Sequence, residues 1–402
     1  MNPTLEPLLH ADHRCLEAAE LLIDTLPIMP SVRVYQALLE EVARARDTAA
    51  AFRARGPFEA LFLRHLRASW DALEAVARFR FEWPRGEIGT FVAAIGEPDA
   101  LERLQEVTAG LDQERIFTYL RLRQEYRTDR IPPGGIEVRT LLEATVRRIS
   151  EAFREWLVAR EGPLPGLDAR VELGPPQAEK SWYEPARHRV LLHPGEFMIF
   201  ERGGAVTVNA VVALQSLAHE LAGHAVQDAL SRDLPDPLRP DHRSRMRFAC
   251  LPIAEGFAYH RSTLALRFAE ECRADLDLED RDISLLRAFV EMSPLHHAVP
   301  ALVGAMAARA RQDAGFDAAG RLEAVAGHGG FGEMIAALSS DPLNRILYNA
   351  ACYFGLLSVR RAAAELERKG IGAAAVCRRL GTGGWCLACY PDAILLEEET
   401  GR

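Results

Sequence analysis

His219, Glu220 and His224 fall together in the string HELAGH. Two imidazoles can ligate a divalent cation, and a carboxylate beside the first can take a proton from water held by that cation. The string lies inside residues 205–231, AVTVNAVVALQSLAHELAGHAVQDALS, whose other positions are largely apolar: Val211, Val212, Leu214, Leu217, Leu221, Val226 and Leu230. A helix apolar on all sides is a buried helix. Burying a carboxylate and two imidazoles costs free energy unless they are paired or ligate a metal. The plain alternative, a chance string in a buried helix, leaves that cost unexplained. The expected chemistry is a catalytic zinc site, with His219 and His224 as ligands of Zn²⁺ and Glu220 as general base.

The spacing sets a geometric condition. The commoner His-Glu-x-x-His motif places both rings on one helical face. Here the histidines are five apart, and five residues of an α-helix rotate roughly 140° away from the starting face at about 3.6 residues per turn. Both rings reach one ion only if the helix loosens into a π-type turn, a device found mostly at functional sites. Gly223 lies inside the interval and tolerates the distortion best.

A catalytic zinc takes a third protein ligand and leaves one position open. A second long helix, expected over 252–275 (PIAEGFAYHRSTLALRFAEECRAD), offers Glu255 and, as the alternative, Glu271. They stand roughly 24 Å apart along one helix at about 1.5 Å per residue, so one ion cannot take both. Glu255 is preferred because Gly256 follows it and lets two helices approach. Glu270, Glu271, Arg273 and Asp275 read equally well as a solvated, salt-bridged helix end. A donor for a developing oxyanion is also needed: His297 and its neighbour His296 are candidates, as are Tyr353 and Tyr348, with Arg345 for a substrate carboxylate. A tyrosine in an apolar helix is equally a core residue with a satisfied hydroxyl. His260 is either a support for Glu255 or exposed, and His188 and His193 read as surface residues.

The elements that must position these groups are mostly helical. Residues 1–130 show apolar spacings of three and four in LEAAELLIDTL, VYQALLEEVARARDTAAAFRA, FEALFLRHLRASWDALEAVARF and LERLQEVTAGL. Ile131 to Gly135, IPPGG, is a strong break. Two regions follow from this: 1–135, a helical cleft wall or lid, and 136–402, a catalytic region. Residues 136–160 form an amphipathic helix. ARVELG (169–174) and RHRVLLHPG (187–195) alternate as strands, so a small antiparallel sheet is expected over 169–200, directly before the metal helix. Such an edge could pair with an extended peptide. Beyond it come two helices over 281–312, split near Pro294, a loop and short helix over 327–338, and a last long helix over 342–368.

Composition narrows the class. The 402 residues carry 49% hydrophobic and 26% charged residues, which describes an ordinary globular chain. A net charge of −9 without a basic stripe argues against nucleic acid. Only Lys180 and Lys369 are lysines. The first residues do not read as a secretory signal, and no long uncharged apolar run suggests a membrane span. The seven cysteines fit reduced thiols in a cytoplasm. Cys386-x-x-Cys389 has no second pair and reads as structural thiols.

HELAGH followed by EECRAD resembles dipeptidyl peptidase III, an alignment that implies Glu271 as ligand and Glu270 as its supporting carboxylate; the chain is much shorter than that family. A broader resemblance runs through HELAGHAVQDALSRDLP, EGFAYH and GLLSVRRAAAELERKG, over roughly 180–370. It is to mostly helical gluzincin peptidases: the carboxypeptidase Taq-like enzymes, a bacterial peptidase-like family with His-Glu-x-x-Pro-Gly-His and Glu-Gly-Trp-Ala motifs, and the tubulin tyrosine carboxypeptidase type, which has the five-residue spacing. This chain lacks that proline and one residue between the histidines. The resemblance implies a mainly α, multi-helical zincin-like fold and a metallopeptidase acting on short peptides or a peptide C-terminus, with Glu255 as third ligand. The alternative is a helical scaffold of the same fold without hydrolase activity.

Overall fold

The computed structural model describes residues 3–24, 32–82, 102–104, 106, 136–178, 180–202, 205–239, 249–313, 315–326 and 342–400. The fold is mainly α with a few short strands. Helices α1 (Glu6–Asp24), α2 (Val32–Ala51) and α3 (Pro57–Glu82) come first. Leu38, Val42, Ala45 and Ala49 recur at the three–four spacing of one helical face, and all are buried. They meet Leu8, Cys15, Phe62, Leu66 and Trp70 of the neighbouring helices in one core. The Pro-Pro-Gly-Gly break and the short helix expected over 327–338 lie outside the described residues.

Helix α4 (Ile136–Glu161) leads into β1 (Arg170–Leu173), β2 (Trp182–Glu184) and β3 (Arg189–Leu192). Their order in space is β1-β3-β2, with β1 parallel and β2 antiparallel to β3. The small sheet is therefore mixed, not wholly antiparallel. Alternation marks a strand but does not say which neighbour it takes. The Pro175-Pro176 corner carries the chain past the position beside β1, and the tight return at His188, with φ of 46°, then brings β3 back into the middle. A separate antiparallel hairpin follows: β4 (Met198–Arg202) and β5 (Ala205–Asn209).

Next comes one long rod in three parts: α5 (Val211–Leu217), a π-helical segment (Ala218–Ala225) and α6 (Val226–Ser231). The expected second helix is really two, α7 (Leu251–Ser262) and α8 (Leu264–Glu271). The hydroxyls of Ser262 and Thr263 bond back to the carbonyls of Tyr259 and His260, a pattern that bends helices. Helix α9 (Asp280–Gln312) runs unbroken through Pro294 and Pro300, where a split was expected. Each proline removes one ladder bond, and burial of Leu285, Leu286, Ala298, Ala301, Leu302 and Val303 offsets that loss. Then come α10 (Ala318–Ala326), α11 (Pro342–Arg368), α12 (Ala373–Leu380) and α13 (Tyr390–Thr400). Cys386 and Cys389 are buried against α3, where Cys386 N–H donates to His65 Nδ1 at 3.1 Å and Arg64 Nε donates to Cys389 Sγ at 3.2 Å. No described helix is long and apolar enough to cross a membrane.

Helix α7 is the hub. On one side Gly223 of the π-helical segment abuts it: a Cβ there would lie 2.6 Å from Ala258 Cα. On the other side Gly256 and Gly355 of α11 touch backbone to backbone; a Cβ on Gly355 would lie 1.7 Å from Pro252 O. Gly355→Ala must push α7 and α11 apart. The expected cost is about 1–3 kcal/mol or more, as for overpacked cores, read as a lowered denaturation midpoint.

Candidate metal centre

The π-helical segment meets the condition that the five-residue spacing imposes. Bonds of the i→i+5 kind stack residues five apart along one face, so His219 and His224 stand side by side with ring centroids 4.8 Å apart and planes at 86°. Among the described residues, the group able to share an ion is His219, Glu220 and His224, whose donor atoms lie within 4.8 Å of one another. Glu255 enters the same space from α7. Its Oε2 is 3.7 Å from His219 Nε2 and 3.9 Å from His224 Nε2.

The two carboxylates are placed differently. Glu220 Oε2 accepts the backbone N–H of Tyr183 at 2.7 Å, and its Oε1 is 4.0 Å from His219 Nε2. One oxygen is thus held by strand β2, and the other faces the site. Glu255 instead presents one oxygen to both imidazoles. Tyr348 of α11 donates to that same oxygen at 3.2 Å. Strand β2 is fixed by its own tyrosine as well: Tyr183 O–H donates to Asp228 on α6 at 2.9 Å.

Burial pushes the Glu220 carboxyl well above the usual carboxylate range, and the Glu255 charge raises it further. Burial also raises Glu255, while Lys180 and the Tyr348 hydroxyl pull it down. Two acids and two imidazoles largely shielded from water are costly as they stand, and a divalent cation relieves that cost. For tetrahedral zinc with bonds of about 2.0–2.2 Å, ligand atoms stand about 3.4 Å apart. The separations of 3.7 and 3.9 Å from Glu255 come near this. The donor set fits the group.

The remaining candidates separate clearly. Glu271 is on the surface, accepting from Trp156 Nε1 at 2.7 Å and Arg160 at 2.6 Å; the Trp156 bond and the nearby guanidinium hold its carboxyl below the usual range. Glu270 pairs with Arg287 at 2.7 Å. Both belong to the solvated helix end that was the plain reading of EECRAD. Tyr353 is buried against Phe354, and the charges acting on it are Arg103 and Glu106, away from the histidines. Five residues separate it from Tyr348, so the two point to different faces of α11. His297 is buried, with Nδ1 3.1 Å from Asn349 Oδ1. Its ring packs on Tyr259, 4.4 Å between centroids, and Tyr259 packs on His219 at the same 4.4 Å. His297 is thus one ring removed from the site. His260 is half-buried, and burial with three neighbouring arginines drives its imidazole down to about 3. The side chains of His296 and Arg345 lie outside the described residues. His188 and His193 are half-buried in the strand region, bonded to Tyr183 and to Gly195 N–H respectively.

Gly256, expected to admit the metal helix, faces Gly355 instead; Gly223 and Ala258 make the close approach. Two residues escape a motif reading. Tyr259 packs edge to face with His219, and its hydroxyl is bonded to that of Tyr348. It lies one helical turn past Glu255, which is the signal that would have found it. Lys180 is exposed, with its ammonium 5.4 Å from the centroid of the Tyr348 ring. Its only trace in the sequence is the rarity of lysine.

No family model matches the sequence, and no curated protein matches it significantly. Among solved structures, a chain assigned as a lipoprotein from Colwellia psychrerythraea is similar with a TM-score of 0.47 and 14% identity. The match covers 91% of this chain and 61% of that one, so the chain spans about three-fifths of that protein's length. A carboxypeptidase from Pyrococcus furiosus is similar with a TM-score of 0.39 and 12% identity, over 100% of this chain and 96% of that one.

Proposed function

We propose that the chain is a zinc-dependent peptide hydrolase acting on short peptides or on a peptide C-terminus. The observation that carries this reading is the convergence of His219, His224 and Glu255 on one buried point, with Glu220 beside them held by Tyr183. His219, His224 and Glu255 would hold the ion. When bound, a divalent cation supplies Lewis acidity for a carbonyl and a lowered pKa for water.

The chain's own groups divide the remaining work. Glu220 takes a proton on the oxygen that faces the site and returns it to the leaving amine. The Tyr183 N–H keeps the other oxygen still. Tyr348 orients Glu255, and Tyr259 orients Tyr348. Tyr348 gives its one hydroxyl proton to Glu255, so the neutral donor for a developing oxyanion is Tyr259, in place of Tyr353, turning from Tyr348 towards substrate with His297 behind it. Lys180 takes the part first given to Arg345, a cation for a substrate carboxylate.

The test is turnover of a mixed peptide library by purified protein, before and after chelation and with zinc added back. Cleavage that is lost on chelation and restored by zinc is expected. Tightly bound metal with no cleavage of any peptide would replace this reading with the inactive scaffold.

A further inference from the structure

The π-helical segment leaves a backbone carbonyl to be satisfied. In an α-helix the N–H of Val226 would bond to Ala222 O; here it bonds to Gly223 O. Ala222 O instead accepts from Arg261 Nε at 3.3 Å. Arg261 is on α7, the helix that also carries Glu255. The rest of its guanidinium forms a bidentate pair with Glu161 at the end of α4: NH1 to Oε1 at 2.9 Å and NH2 to Oε2 at 2.7 Å. Both residues are buried, Arg261 at 5% and Glu161 at 8% exposure. Just past Glu161 the chain presses on the same turn again. A Cβ on Gly166 would lie 2.2 Å from Ala225 O.

A buried ion pair is an expensive way to gain stability, because desolvation offsets most of the Coulomb attraction. It does fix geometry, since the fork of the guanidinium allows one orientation against a carboxylate. Here the fixed guanidinium points its third donor at the middle of HELAGH. We infer that Arg261, locked by Glu161, is a positioning residue that holds the π turn open so that His219 and His224 face one ion. This rests on the metal reading above. Arg261 touches neither the ion nor substrate; it acts through the Ala222 carbonyl.

Arg261→Lys keeps the charge and loses both the fork and the Nε donor; Glu161→Gln is milder and keeps an acceptor of the same shape. Two measurements on the full chain decide. Zinc dissociation constants should rise about 10–100-fold in Arg261→Lys, as for loss of other outer partners of a metal site, and less in Glu161→Gln. The visible spectrum of the Co²⁺-loaded protein should change with them, because it reports ligand geometry. Amide exchange in the metal-free protein should speed up at least tenfold for residues 223–227 relative to α7. Zinc affinity, Co²⁺ spectrum and exchange all matching wild type in a folded variant overturn the inference, whatever the melting temperature does. If Arg261→Lys does not fold, the same result for Glu161→Gln overturns it. A wild-type protein that binds no zinc defeats the metal reading instead, and the exchange measurement still judges the role of Arg261.

Discussion

Replacing Glu220 by glutamine should lower kcat about 10²–10⁴-fold, the range typical of a lost general base, while bound zinc should stay at the wild-type level. The amide is nearly isosteric. Its carbonyl oxygen still accepts the Tyr183 N–H now held at 2.7 Å by Glu220 Oε2, so β2 keeps its place. What disappears is the capacity to take up a proton. The proposed ligands are untouched, since Glu255 Oε2 is the carboxylate oxygen within 3.9 Å of both imidazoles. The measurement pairs metal analysis with turnover on whichever peptide the wild type cleaves. Full activity in the variant would remove Glu220 from the chemistry and leave it a structural anchor for β2. Loss of zinc together with activity would make it a ligand.

That separation of roles was only partly legible in the residues. HELAGH announced the site because three polar side chains in an apolar rod need a reason, and the five-residue interval required a π turn on geometry alone. Both inferences needed only local rotation angles. The proposed third ligand did not follow from such angles. Glu255 and Glu271 stand at opposite ends of one expected helix, and nothing in the order of residues says which end packs on the HELAGH segment; the close approach of Gly223 to Ala258 puts Glu255 there. The same limit applies to α11. Spacing placed Tyr348 and Tyr353 on different faces, but nothing in the order of residues said which face meets α7; the Gly256–Gly355 contact decides it. For the sheet, alternation marked the strands but pairing depended on where the chain turned between them. Lys180 and the Arg261–Ala222 contact join segments distant in sequence, and no periodicity reports them.

Removing the Glu255 carboxylate should separate metal binding from folding more sharply than any other change. In Glu255→Gln the Tyr348 hydroxyl keeps an acceptor, and the close packing of α7 is undisturbed. Without metal, the variant should melt at or above the wild-type temperature, because an acid whose burial raises its pKa is replaced by a neutral group of the same shape. With metal the order reverses. Ligand-linked stabilisation follows RT ln(1 + [L]/Kd), about 2.7 kcal/mol when zinc is present at a hundred times Kd. Wild type gains that increment. Glu255→Gln should lose nearly all of it, since losing a direct ligand weakens binding by more than the roughly 10–100-fold typical of an outer partner. Glu271→Ala is the control: its carboxylate pairs with Arg160 and Trp156 at the surface, so its zinc-dependent melting shift should equal that of wild type. The readout is thermal denaturation of the three proteins with and without zinc. A shift that survives in Glu255→Gln and vanishes in Glu271→Ala would restore the EECRAD alignment and require α7 and α8 to be arranged differently in the metal-bound protein.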